Sequence, residues 1–471
     1  MKMFVNETWV DKADKIEVTN PFNGQVLDTV PRADAEDVER AVSSAVVGAG
    51  QMRRLPGYDR FLILKKAAEL LEERSEDLAH TITLEEGKVL AESRFEVSRG
   101  VQTLLLSAEE SKRIEGEVLP LDGAPGSGNR LGFTLRVPCG VVVAICPFNF
   151  PLNLVLHKVG PALAAGNSVV IKPATDTPLS ALKLTEILVE AGLPAAAVQC
   201  LTGAGADVGQ RLCSDPRVRK ISFTGSKEVG EQICRAAGIK RVTMELGSNS
   251  PLIIMPDADL EKVCRAIVAT GYSNAGQVCI STQRVLVMGA VYGELLERLR
   301  PLVDQIRTGD PLAENTEMGP MVRERDAVRV EQWIQEAVAG GAHLLTGGSR
   351  RGATVKATLV ANVDPRMRIS CEELFGPAVA LSKVDNVEEA IRLANDSNYG
   401  LSAGIFTQNI DWALRFAREV DSGNLHINWG PQWRADLMPY GGLKESGFGK
   451  EGPRYAVREM TELKTVVVHL N

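Results

Sequence analysis

Residues 141–173 read VVVAICPFNFPLNLVLHKVGPALAAGNSVVIKP. Two short runs rich in β-branched residues, Val141–Ile145 and 168–171, open and close this stretch. The same rhythm continues at 198–202 and 220–223, and helical patterns such as Leu179–Glu190 separate the runs. Strands that are apolar throughout are buried on both faces. Their alternation with amphipathic helices predicts a parallel, doubly wound sheet.

Outward from this core, residues 137–157 form the longest uncharged stretch, about long enough to cross a bilayer. It carries Pro138, Gly140, Pro147, Asn149, Pro151 and Asn153, a strand–loop pattern that argues against a membrane span. The N-terminal MKMFVNETWV lacks an apolar core of signal-peptide length. Upstream, Asp34 is placed to cap a helix with Val38, Ala41, Val42, Ala45 and Val46 on one face, and a second helix is expected near 60–76. Residues 121–130 (LDGAPGSGNR) are turn-rich and read as a surface hairpin or arm. Downstream, strands at 251–255 and 285–288 flank a helix at 259–274, enough for a second α/β domain. A last apolar run, 465–470, has no following helix and is expected to join a sheet elsewhere, including one in a partner subunit.

A chain of 471 residues favours two or three domains. At 44% hydrophobic and 24% charged residues it excludes wholesale disorder. A net charge of −7 with scattered charges argues against nucleic acid as a partner. Eight cysteines without a CxxC pair and only five histidines suggest neither a metal site nor a disulfide scaffold, and a reducing cytoplasmic location is expected.

Several residues have the types and settings that chemistry needs. Gly203, Gly205 and Gly209 follow a strand with the spacing GxGxxxG, either a tight turn or a nucleotide loop. Phe223-Thr224-Gly225-Ser226 follows another strand and opens a helix, a setting that favours an anion. Lys172 ends a strand at the crevice where such sheets bind ligands, or is a solvated lysine. Cys279 follows a glycine-containing break after a helix; it is either a buried apolar cysteine or an exposed, activated thiol. Glu245 ends a strand-like run as a turn residue or a general base. Asn149, between Phe148 and Phe150, either satisfies loop backbone or donates to an oxyanion.

These signals occur in an order that resembles the NAD(P)-dependent aldehyde dehydrogenase superfamily over nearly the whole chain. The motifs are PFNFPL at 147–152, KPATDTP at 172–178, FTGS at 223–226, ELGSNSP at 245–251, GQVCISTQR at 276–284, EELFGP at 372–377 and MPYGGLKESGFGKEG at 438–452. The closest look is to the lactaldehyde, non-phosphorylating glyceraldehyde-3-phosphate and phosphonoacetaldehyde branches. The resemblance implies Cys279 as nucleophile, Asn149 with the Cys279 backbone N–H as oxyanion hole, and Glu245 as activator of water. Lys158 and Glu451 would form a proton relay behind it. It implies Lys172, Thr175, Gly205, Gly209, Phe223, Gly225, Ser226, Leu246, Glu373 and Phe375 as cofactor contacts, and NAD or NADP as the cofactor. It further implies a Rossmann-type cofactor domain (1–118 and 140–250), an α/β catalytic domain (251–430) and a small β oligomerisation arm (119–139 and 453–471) in a homodimer or homotetramer.

Three departures from the family pattern bear on function. Ser248 stands where a second glycine is usual, so a side chain restricts the path of Glu245. Thr175 stands where strongly NAD-selective members carry glutamate, so NADP is expected to be tolerated. Glutamate rather than asparagine at 245 argues against the coenzyme A-acylating branch. For the substrate, Arg99 aligns with an anion-binding arginine, although Val278 replaces a second one. His157 resembles the lactaldehyde and phosphonoacetaldehyde branches, and Trp433 and Arg434 precede MPYGG at the expected mouth. The expectation is a small, polar, anionic aldehyde, with structural salt bridges as the alternative role for Arg99 and Arg434. A cysteine-dependent esterase and a non-enzymatic binding protein remain the other readings.

Overall fold

The computed structural model describes residues 1–470. Eight strands form the first sheet in the order Thr8–Val10, Met3–Val5, Val198–Cys200, Ser168–Lys172, Val141–Ile145, Val218–Thr224, Arg241–Glu245, Gly447–Phe448. The five inner strands are parallel. Val142 and Ala144 face one apolar core with Leu156 and Leu182, while Val141 and Val143 face another with Val38 and Ala41. A sheet buried on both faces requires that alternation of apolar on apolar. Strand order reverses between Val141–Ile145 and Val218–Thr224, so the loops leaving these two strands flank the crevice where open α/β sheets bind ligands.

A second sheet of seven strands runs His343–Thr346, Thr358–Ala361, Ala378–Val384, Arg284–Met288, Pro251–Ile254, Ser402–Phe406, Asn424–Ile427, antiparallel only at its first pairing. A third has three antiparallel strands, Thr461–His469, Arg130–Pro138 and Val118–Leu119. The final strand therefore pairs within its own chain, with Thr461 opposite Pro138 and His469 opposite Arg130. Local pattern offered no cue to that pairing, because its partner lies some 330 residues earlier; only the family resemblance had grouped the two segments in one arm. Ahead of it, Pro453–Glu459 is a helix packed on the helices Asn153–Ala164 and Leu90–Glu110.

Local capping behaves as the residues dictate. The Asp34 carboxylate accepts from the Glu36 and Asp37 N–H groups and starts Ala35–Arg54, whose buried face includes Val38, Ala41, Val42 and Ala45. Val46, expected on that face, is 44% exposed, because the helix rotates it past the edge of the stripe. No helix among the described residues is long and apolar enough to cross a membrane.

The short strand at Gly447 matters for the site. Gly447 pairs directly with Glu245 at φ 114°, and a Cβ there would lie 1.9 Å from the Met244 carbonyl oxygen. Gly447→Ala is expected to cost about 2–4 kcal/mol through strain and overpacking. It should lower the thermal midpoint and displace Glu245; a wild-type midpoint in calorimetry would contradict this.

Candidate functional site

Three loops meet beside the crevice. The first leaves Val141–Ile145 and carries Asn149. Its amide nitrogen donates to the Gln277 carbonyl at 2.8 Å, and its own carbonyl accepts from Lys88 Nζ at 2.7 Å. Lys88 is fully buried, pairs with Glu96 at 2.6 Å and lies over the Phe150 ring. The other Glu96 oxygen accepts from the Leu152 and Asn153 N–H groups at the start of the next helix. Loop and helix are thus fastened to the helix Leu90–Glu110 by one carboxylate.

The second loop carries Cys279. Asn274, Ala275 and Gly276 adopt φ of 50°, 52° and 68°, a left-handed passage that ends the preceding helix. A Cβ on Gly276 would lie 2.1 Å from the Gly376 carbonyl oxygen, so only glycine fits. Cys279 is half-buried, and its sulfur sits 3.3 Å from the Tyr440 hydroxyl. Burial pushes its thiol up to about 12, and the charges of Glu373 and Glu245 add to the effect. Of the two readings the sequence left open, this half-buried thiol, its acidity suppressed by burial, lies nearer the buried one.

The third group surrounds Glu245, the last residue of its strand. Its main chain is held by Gly225 N–H, which donates to the Glu245 carbonyl at 3.1 Å. Both carboxyl oxygens are buried with no hydrogen-bond partner. Burial, reinforced by the nearby charge of Glu451, raises this carboxyl well above its ordinary range. Behind it runs a chain of buried charges. Lys158 donates to Thr224 and Glu451, each at 2.6 Å. Arg434 donates to Glu451 at 3.0 Å and to His157 Nδ1 at 3.0 Å. His157 Nε2 therefore donates to Asp436 at 2.9 Å, and Asp436 accepts two bonds from Arg99, at 2.7 and 3.2 Å. Burial and the Arg434 charge lower His157 to about 4, so it is neutral. Burial opposes ionisation of Glu451 and Asp436, but their cations hold both well below the usual carboxylate range. Arg434 also stacks on Tyr440, 4.1 Å from the ring centroid, and its Nε–H is buried and unpartnered.

On the sheet side, Lys172 is buried and donates to the Pro173 carbonyl at 2.8 Å; burial lowers it to about 8. Thr175 donates to the Gly203 carbonyl at 3.2 Å. Gly205 and Gly209 bound one helical turn, with open space where a Cβ would stand on either. Ser226 caps the helix Lys227–Ala237. Phe223 is buried under Gly225, where a Cβ would lie 2.5 Å from its ring. Leu246 packs against Gly230. Glu373 accepts from Ser248 N–H at 2.9 Å, and burial raises it to about 7. Phe375, at φ 49°, sets its ring edge-on to Phe148. A buried lysine with one protein acceptor, a buried carboxyl with one backbone donor and a side-chain-free glycine turn fit the hydroxyls and phosphates of a dinucleotide.

Arg99, His157 and Arg434 fall on one chain of contacts, whereas Trp433 stands apart, 53% exposed and edge-on to His426. Ser248 Oγ lies 3.0 Å from Ser250 Oγ, which donates to the Cys279 carbonyl at 3.4 Å. Sequence reasoning missed Lys88, Asp436 and Tyr440. The signals were slight: a lysine closing an acidic turn, an aspartate two residues before a recognised motif, and a tyrosine inside that motif.

Alkylation of Cys279 by iodoacetamide, followed by peptide mass, is expected to be slow at pH 7. Because the thiol is raised and only the thiolate reacts, the rate should climb about tenfold per pH unit toward pH 9. A flat profile would contradict a protonated resting thiol.

The family model described as "Aldehyde dehydrogenase family" matches residues 9–466. The 3-sulfolactaldehyde dehydrogenase of Priestia megaterium is 47% identical over 99% of this chain and 98% of its own length. A Physcomitrella patens aldehyde dehydrogenase, solved with the reaction product succinate, superposes at TM-score 0.96 with 38% identity, covering 99% of this chain and 98% of that one. A Methanocaldococcus jannaschii glyceraldehyde-3-phosphate dehydrogenase complexed with NADP gives 0.94 with 36% identity, covering 98% of this chain and 100% of that one.

Proposed function

The chain belongs to the aldehyde dehydrogenase family, and from that premise we propose that it oxidises a small, polar, anionic aldehyde to the carboxylic acid with NAD⁺ or NADP⁺. One observation carries the hydrolytic part: a buried carboxyl, Glu245, with both oxygens unpartnered and its charge acting on the Cys279 thiol. A buried polar group without a partner costs free energy, and a role in the reaction accounts for its being kept there.

In this reading the Cys279 thiol gives its proton to water, and the thiolate adds to the aldehyde carbon while the C=O π pair moves to oxygen. The oxyanion is stabilised by the second Asn149 amide N–H and the Cys279 backbone N–H. Lys172, Thr175, Gly205, Gly209, Gly225, Ser226, Glu373 and Phe375 would hold the dinucleotide, together with Phe223 and Leu246. When bound, the nicotinamide supplies the hydride acceptor. Loss of hydride leaves a thioester on Cys279. Glu245 then takes a proton from water as its oxygen adds to the thioester carbon, and the C–S bond breaks to release the carboxylic acid and return the Cys279 thiolate. Lys158 and Glu451 set the field in which Glu245 gains and loses that proton. Thr175 in place of a carboxylate leaves room for a 2′-phosphate, so NADP is accepted.

The anion assignment rests on Arg434. Arg99 and Arg434 are each paired with a carboxylate, Asp436 and Glu451, but Arg434 keeps one buried N–H free and lies against Tyr440 beside Cys279. His157 orients Arg434, Arg99 orients Asp436, and Trp433 stands at the mouth. The names of the three relatives above specify a sulfonate, a carboxylate and a phosphate; the shared feature is the anion. The three-stranded arm sheet has open edges and supports a homodimer or homotetramer.

The test is absorbance at 340 nm with NAD⁺ and NADP⁺ over sulfo-, phospho- and carboxy-substituted aldehydes and lactaldehyde. Cys279→Ala should abolish turnover, and Asn149→Ala should lower it about 100- to 1000-fold. Glu245→Gln should keep a first-turnover burst and lose steady-state turnover. Arg434→Gln should lower kcat/KM for the best anionic aldehyde about 100-fold, while affecting lactaldehyde much less. Equal losses for charged and neutral aldehydes would overturn the anion assignment, and turnover by Cys279→Ala would overturn the mechanism.

A further inference from the structure

At the base of the arm, lined by none of the residues of the site above, lies a cleft of about 440 Å³. It is lined by Arg53, Arg60, Arg136 and Lys464, over an apolar floor that includes Ile114 and Val137, and no Asp or Glu lines it. None of these four cations forms an ion pair among the described residues, although the chain carries net charge −7. Elsewhere the chain pairs its cations readily: Lys12 meets Asp34 and Asp37, and Arg217 meets Glu39 and Asp215.

The guanidinium groups are nevertheless oriented. Arg60 is half-buried and donates to the Ala164 carbonyl at 3.0 Å and the Leu55 carbonyl at 2.7 Å. Arg53 reaches the Pro138 carbonyl at 3.4 Å, and Arg136 the Thr461 hydroxyl at 3.1 Å. These partners are all neutral. They fix the forks in place without cancelling a charge, and like charges gathered in one concavity repel. Burial accordingly makes the Arg60 cation less favourable than a solvated one. Fixed, uncompensated guanidinium forks are the arrangement that recognises tetrahedral oxyanions.

We propose that this cleft is a second ligand site, separate from the aldehyde site, which binds a phosphorylated small molecule carrying at least two negative charges. Its volume exceeds that of a lone phosphate and suits a phosphate-bearing metabolite, whose apolar part would lie on Ile114 and Val137. Because the Arg136 strand and the Lys464 strand are neighbours in the arm sheet, occupancy ties the arm to the helices bearing Arg53 and Arg60.

The probe is pyrophosphate, titrated calorimetrically into the full-length protein at 0.15 M salt with NADP⁺ saturating, so that the nucleotide crevice is filled. Arg53 and Lys464 are exposed, so Arg53→Ala/Lys464→Ala should fold normally, which its unliganded thermal midpoint verifies. The expected result is one pyrophosphate per chain, at least tenfold weaker binding in the double variant, and a thermal midpoint raised by pyrophosphate in wild type only. Absence of binding to wild type, or equal affinity in the variant, would overturn the proposal. So would a double variant that changes its sedimentation state while wild type ignores pyrophosphate; the cleft would then hold carboxylates of a second copy.

Discussion

A buried ammonium needs a counter-charge, and Lys158 finds one in Glu451 at 2.6 Å with neither side chain in contact with water. Removing either partner of such a pair strands a charge in the interior, which typically costs about 3–5 kcal/mol. The pair joins the helix that follows the first sheet strand to a segment nearly 300 residues later. Arg434, bonded to the other Glu451 oxygen, brings in Tyr440 and so reaches Cys279. Glu245 sits in the field of the whole group. Its carboxyl is raised by burial and by a neighbour whose own proton has been driven off. The same surroundings thus push two carboxyls in opposite directions, Glu245 up and Glu451 down, which is how one site separates the roles of its acidic groups.

A second buried ammonium does the same for the other wall. Lys88 holds Glu96 and the Asn149 carbonyl together, while Asn149 holds Gln277. The amide expected to stabilise an oxyanion is therefore fixed by a lysine on one side and by the nucleophile loop on the other. Precise placement matters because such donors act only when aimed at the developing charge.

How much of this was readable in the chain depends on the range of each interaction. The parallel sheet, the ends of its strands at Lys172, Thr224 and Glu245, and the capping box at Asp34 follow from local pattern and were legible. Single positions beyond that range were not. Arg99 and Asp436 are 337 residues apart, and Lys88 and Asn149 are 61 apart. Nothing local marks one as the other's partner. Cys279 shows the limit most clearly. Its flanking glycine suggested exposure, yet burial is set by Tyr440 and by the left-handed turn at Asn274–Gly276, neither of which a local pattern reveals. The resemblance to a known family named the candidate chemistry-bearing residues; it gave no account of the charge network around them.

Residues 247–250 touch both halves of the chemistry: the Ser248 N–H holds Glu373, and the Ser248 and Ser250 hydroxyls lead to the Cys279 carbonyl. The sulfur at the end of that line is kept protonated by its surroundings. A thiol in that condition reacts poorly with peroxide and with stray electrophiles, since both require the thiolate. Burial of this sulfur thus bears on its exposure to oxidants as well as on its acidity.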